Sequence, residues 1–104
     1  MTEATQKPQT SRGFRVIIEP INASDEPMQQ RLEFEVQDRE NVFATVAAIK
    51  QGSGLDPLAS TQLGVGLRIL GPLLMQHRKH PLFAELMPHF KGFMLNLKRT
   101  LKSA

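Results

Sequence analysis

The stretch F-R-V-I-I-E, residues 14–19, places apolar and polar side chains on opposite sides of an extended chain, and L-E-F-E-V-Q, residues 32–37, repeats this alternation. Successive side chains of a strand point to opposite faces, so a period of two predicts strands with one buried face. We therefore predict strands at about residues 13–19 and 31–37. The Pro-rich connection is too long for a tight turn, and antiparallel pairing that sets Arg15 opposite a Glu is favoured.

From the second predicted strand to the end of the chain, apolar residues recur at helical spacing. Asp38 is a suitable N-cap for a first helix, whose apolar pattern stops at Gly52 and Gly54. Asp56 followed by Pro57 predicts a second start, because proline needs no partner at the first helical position. We expect helices at about residues 39–51, 56–77, 81–86 and 88–101. The predicted fold class is α+β, with two antiparallel strands followed by three or four helices packed on one face.

The second predicted helix contains three glycines, Gly64, Gly66 and Gly71, and Pro72 follows the last of them. Interior glycine costs up to ~1 kcal/mol and interior proline ~3 kcal/mol or more, which predicts a kink or a break near Gly71. Ser60, Gly64 and Gly71 share one face, where another backbone could come close. Packing on the first helix is the favoured use of this face, and a dimer seam is the alternative.

The last predicted helix has an apolar stripe and a separate basic face. The stripe repeats at intervals of four and three residues and consists of Phe83, Met87, Phe90, Met94, Leu97 and Leu101. Such spacing is typical of a helix that faces a core. Lys91, Lys98 and Lys102 share another face of the same helix.

Composition indicates one ordinary globular domain. The 104 residues are 40% hydrophobic and 22% charged, and residues 12–104 are predicted to form one domain behind a disordered tail at residues 1–11. The chain has no cysteine, which excludes disulfides, thiolate nucleophiles and Cys-ligated metals. No apolar run predicts a signal peptide or a membrane span, so we expect a cytoplasmic protein without membrane contact.

Charge divides unevenly along the sequence. Residues 1–40 carry five Lys or Arg and eight Asp or Glu, whereas residues 41–104 carry eight and two. A basic C-terminal half could meet an acidic partner, nucleic acid or the acidic half of another copy. Solvated helix faces are the commoner explanation for charge at this density.

The stretch H-R-K-H, residues 77–80, is the most conspicuous candidate site. A helix C-terminus explains it best, because cations there face the negative end of the helix dipole. An anion or acidic-partner site is the second reading, formed by His77, Arg78, Lys79, His80 and His89. Three imidazoles could bind zinc or nickel, but the intervening cations disfavour this, so no metal and no cofactor are predicted.

Two further function classes are nucleic-acid binding and catalysis. A nucleic-acid face could form from Lys91, Lys98, Arg99 and Lys102. Against it, the chain lacks Tyr and Trp, and its six Phe fall on apparent core positions, so none is expected to stack on bases. The carboxylates alternate along the strands instead of converging, which favours a protein that is not an enzyme.

Five stretches together resemble a known family. They are R-V-I-I-E, L-E-F-E-V, E-N-V-F-x-x-V, L-G-V-G-L-R-I-L-G and R-K-H-P-L-F-A-E-L-x-P-H-F-x-x-F-M. Over about residues 12–101 they are similar to a family of small bacterial proteins known only as a domain of unknown function. The resemblance implies a stand-alone bacterial protein and supplies no activity, cofactor or catalytic residue. We expect a non-enzymatic protein-interaction or regulatory module with an unknown protein partner, and a homodimer is one candidate assembly.

Overall fold

The computed structural model describes residues 13–21 and 30–103, and the chain divides into two compact units at residues 1–39 and 40–104. Within the described residues two antiparallel strands precede four helices, which confirms the α+β class. The elements are β1 Gly13–Ile18, β2 Leu32–Gln37, α1 Val42–Gly52, α2 Pro57–Gln76, α3 Pro81–Ala84 and α4 Leu86–Ser103. The predicted tail at residues 1–11 lies outside the described residues, and the single domain remains a prediction.

The first unit contains a two-stranded hairpin whose register follows the alternation in the sequence. Phe14 lies opposite Val36, Val16 opposite Phe34 and Ile18 opposite Leu32, so these six apolar residues share one face. Arg15 and Glu35 face each other on the opposite side. Both predicted strands are therefore confirmed, and each is one residue shorter than predicted at the end next to the connection.

The polar face of the hairpin is a chain of ion pairs. Arg15 Nη2 lies 3.1 Å from Glu35 Oε2, which confirms the predicted cross-strand pair. Arg31 bridges two carboxylates, with Nε 3.0 Å from Glu19 Oε2 and Nη1 2.7 Å from Glu33 Oε1. The hydrogen bond that Arg31 donates to Glu19, helped by the charge of Glu33, raises the pKa of Arg31 above its ordinary value. The carboxylates of this face are engaged within the hairpin itself.

The helical unit begins at α1, and its N-cap differs from the prediction. Asn41 Oδ1 accepts the N–H of Phe43 at 2.8 Å and of Ala44 at 3.1 Å, so Asp38 is not the cap. Asn and Asp cap about equally well, and the side chain that lies just before the first helical turn provides the acceptor. The helix ends as expected, with the Ser53 N–H donating to Ile49 O at 2.9 Å and Gly54 at φ +83°.

Helix α2 packs against α1 through a face of small residues. Asp56 Oδ1 accepts the Ala59 N–H at 2.7 Å, which confirms the predicted cap. At Gly64 the helices are so close that an added Cβ would lie 2.6 Å from Val46 Cγ2. The buried residues of α2 are Ser60, Gly64, Leu67, Gly71 and Leu74. The small-residue face therefore packs inside the unit, as favoured, and is not available as a dimer seam.

Pro72 does not interrupt α2, which runs unbroken from Pro57 to Gln76, so the alternative of a break near Gly71 is wrong. Leu67 and Leu74, on either side of the proline, are both buried, and this packing outweighs the lost hydrogen bond. Among the described helices α2 is long and apolar enough to cross a membrane by length and composition alone. The core helix of a soluble protein can have the same length and composition. Helix α2 buries one face against α1.

Helix α4 starts two residues earlier than predicted, at Leu86, and includes Pro88 in its first turn. The first four N–H groups of a helix have no intrahelical partner, so a proline at this position removes no hydrogen bond. Every member of the predicted stripe is half-buried. The helix packs on α1 and α3, and Phe90 approaches α2 at Gly71, where an added Cβ would lie 4.0 Å from the ring.

Candidate functional site

The stretch H-R-K-H forms the corner between α2 and α3. His77 caps α2, and its N–H donates to Leu73 O at 3.1 Å. His80 caps α3, because its Nδ1 accepts the Leu82 N–H at 3.0 Å. The favoured reading as a helix C-terminus is confirmed, and the second histidine has a capping role that the sequence pattern did not indicate.

Both imidazoles of this corner also contact one aromatic ring. The centroid of Phe83 lies 6.5 Å from that of His77 and 5.8 Å from that of His80, and the rings are tilted by 44° and 51°. Phe83 is the first member of the half-buried stripe that continues into α4. The two histidines therefore hold the corner together, and Arg78 and Lys79 are its two exposed cations.

The corner surrounds an open concavity of about 610 Å³. Its lining consists of Met75, Gln76, His77, Arg78, Lys79 and His80. Four of the five predicted anion-site residues therefore come together, whereas His89 lies in α4 and does not line the concavity. The carbonyl end of α2 is negative and repels an anion, and α3 is too short to oppose it. Binding at this site remains a prediction.

A metal centre does not assemble in the described part of the chain. No group of three or more His, Asp or Glu residues there could hold a metal ion. His77 and His80 contact the ring of Phe83, and His80 Nδ1 is already used as an acceptor. Within the described residues, these two imidazoles therefore have local structural roles as a ring contact and a helix cap.

The outer surface of α4 presents a second candidate. We call it the basic face, and it consists of Lys91, Leu95, Lys98, Arg99 and Lys102. All five residues are exposed, and Leu95 is 60% exposed. None of the four cations forms an ion pair with a described residue, and α4 contains no Asp or Glu.

Leu95 is the residue of this face that sequence reasoning missed. It lies four residues after Lys91 and three, four and seven residues before the other cations, so on a helix all four surround it. Leu95, Leu101 and the three cations Lys98, Arg99 and Lys102 line a shallow concavity of about 510 Å³. The sequence did contain a signal for it, because Leu95 is an apolar residue on the polar side of an amphipathic helix.

The hairpin presents a third candidate, its apolar face. Ile18 is 52% and Leu32 63% exposed, whereas Val36 at the other end of the hairpin is buried.

Helix α1 also carries an exposed ring, because Phe43 is 78% exposed. The expectation that all six Phe occupy core positions is therefore wrong, since the buried side of α1 is formed by Val42 and Ile49.

Comparisons with known proteins agree with this architecture. No curated protein matches the chain. A crystal structure at 2.20 Å of a protein of unknown function from Pectobacterium atrosepticum SCRI1043 is similar, with a TM-score of 0.73 and 29% identity. The match covers 86% of this chain and 98% of that chain. The family described as a domain of unknown function, DUF3861, matches residues 12–99, and the chain belongs to this family.

Proposed function

We propose that this chain is a non-enzymatic protein-interaction module that associates with itself through its hairpin. The observation that carries the proposal is the exposure of large apolar side chains on one face of β1 and β2, with Ile18, Leu32 and Phe34 all exposed. Contiguous apolar surface of this kind marks interaction sites. A catalytic surface would instead present charged side chains.

The edges of the hairpin support the same proposal. Within the described residues β1 and β2 pair only with each other, so each strand has one edge without a strand partner. Unpaired edges are templates for pairing with another chain, and a two-stranded sheet alone is marginal in water. Two hairpins that pair edge to edge about a twofold axis would form a four-stranded sheet with one continuous apolar face.

The polar face of the hairpin supports a role other than catalysis. Glu19, Glu33 and Glu35 each lie within ion-pair distance of Arg15 or Arg31. Pairs of opposite charge across two strands stabilise the pairing of those strands. These residues are suited to holding the strands in register.

The test is the mass of the intact chain in solution, measured by light scattering across the micromolar range. We expect the wild type to exceed the monomer mass and Leu32→Lys to reduce it to that of a monomer. Leu82→Lys is the matched control, because Leu82 is comparably exposed but lies in α3. A monomer mass for the wild type at every concentration would contradict the proposal.

Nucleic-acid binding is a second candidate function. It is favoured by the four exposed cations of the basic face, which have no ion-pair partner among the described residues. Phosphate contacts release counterions, so such a complex must weaken steeply as salt rises. Gel shifts with duplex DNA and with single-stranded RNA, titrated with salt, test it. The absence of any complex at low ionic strength removes this candidate.

A further inference from the structure

We propose that the basic face of α4 binds an acidic protein segment that presents Asp or Glu side chains around one apolar residue. The basic face and an acidic protein segment are different from the hairpin and the second copy of the chain that self-association involves. The inference therefore stands or falls independently of self-association.

Charge defines the first requirement for the partner. Lys91, Lys98, Arg99 and Lys102 lie within twelve residues of one helix, and their charges are not neutralised by described neighbours. Like charges this close on a helix repel one another, and an acidic segment relieves the repulsion. Complementary charge also speeds the encounter and rejects basic partners.

The exposed leucine defines the second requirement. Leu95 points out between the cations and is 60% exposed, whereas the apolar stripe of the same helix is half-buried on its other side. An apolar centre with a charged rim is the usual anatomy of a protein interface. A partner that places its own apolar side chain on Leu95 removes both from water and aligns its carboxylates with the rim.

A membrane surface fits this face less well. An interfacial helix needs several apolar residues that enter the bilayer together, flanked by cations. Here Leu95 is the one exposed apolar residue among the cations, because Leu101 is half-buried, and the next exposed ring, Phe93, lies on the far side of the half-buried stripe. A flat bilayer cannot contact both at once.

Nucleic acid also fits less well than an acidic protein segment. Phosphates need cations and polar donors, and single-stranded bases need aromatic rings on which to stack. The basic face has an aliphatic side chain at its centre instead of a ring. Leu95 is thus the residue that distinguishes the two classes of partner.

The experiment measures binding of the full chain to a fluorescently labelled synthetic peptide built from Glu-Glu-Leu repeats, by anisotropy at low ionic strength. We expect saturable binding that the double variant Lys98→Glu, Lys102→Glu weakens about tenfold or more. Lys50→Glu, in the last turn of α1, is a control that makes this substitution once, with half the charge change, away from the basic face, and it should stay within about twofold. Circular dichroism confirms that each variant folds.

Leu95→Ser separates the proposed partner from other anions. It should weaken peptide binding about tenfold, whereas Leu82→Ser should leave binding unchanged. Three results would overturn the inference: no saturable peptide binding, peptide binding insensitive to Leu95→Ser, or tighter binding to duplex DNA or to phosphatidylserine vesicles than to the peptide. Leu32→Lys should retain the peptide affinity, so that failure of self-association and failure of this inference remain distinguishable.

Discussion

The two long helices of this protein use their apolar residues in different ways. Helix α2 buries five residues of its 20, and two of the five are glycines. Helix α4 has the cleaner amphipathic pattern over its 18 residues, yet none of them is fully buried. Regular apolar spacing identifies the side of a helix that faces its neighbours, but the depth of burial depends on how closely the neighbouring backbone approaches.

The reason for the difference lies at the contact between α1 and α2. At Gly64 there is no side chain, so Val46 of α1 reaches the backbone of α2. Leu67, which follows Gly64 by three residues, is buried, and Leu74 further along α2 has no exposed surface. The bulky residues of the α4 stripe remain half-exposed. A small-residue face therefore produced the tightest packing in the helical unit.

The largest expected effect is on the core leucine of α2. Leu74→Ala should lower the free energy of unfolding by about 2 to 5 kcal/mol, because it leaves a cavity in a fully buried position. Leu95→Ala makes the same change on the basic face of α4 and should stay within about 0.5 kcal/mol. Urea unfolding followed by circular dichroism at 222 nm measures both, since the chain has no Trp. Equal losses for the two variants would refute the contrast between the helices.

Glycines of α2 provide the next comparison. Gly64→Ala should lower the free energy of unfolding by about 1 to 3 kcal/mol, because the new Cβ collides with Val46. Gly66→Ala should instead raise it by up to ~1 kcal/mol, since no atom lies within 4 Å of that Cβ and alanine favours helix. The same unfolding experiment applies. A stabilising Gly64→Ala would show that the helices can separate at no cost.

The smallest expected effect concerns the corner that leads from α2 to α4. His80→Ala should lower the free energy of unfolding by about 1 kcal/mol, because Leu82 N–H loses its acceptor. His80→Asn retains a capping acceptor and should restore most of this loss. His89→Ala, at an exposed position of α4, is the control and should have little effect. If His80→Asn and His80→Ala behave alike, the imidazole does not act as a cap.

Local signals predicted most of the secondary structure. The alternation in residues 14–19 and 32–37 determined the strands, and Asp56 with Pro57 determined the start of α2. Errors occurred where two local signals compete. Asp38 and Asn41 are both good caps, and only the path of the backbone decides which side chain reaches the free N–H groups.

The candidate sites show a similar division. The residues of H-R-K-H could be recognised as a helix end, because the change from an apolar pattern to cations and proline is local. The contact of both imidazoles with Phe83 depends on the angle of the corner and could not be predicted. Leu95 could have been noticed from helical spacing, but its exposure depends on which side of α4 meets α1 and α3.

The amino-acid sequence by itself determined the α+β class, the two strands, the start of α2 and the excess of cations in the C-terminal half. Periodicity, caps and charge are properties of neighbouring residues, so they can be read without knowing the fold. Tertiary structure alone decided that Gly64 receives Val46 and that Pro72 stays inside one helix. It also decided that Leu95 faces outward among the cations. These outcomes depend on the distance between elements that are far apart in the chain, and no local pattern encodes that distance.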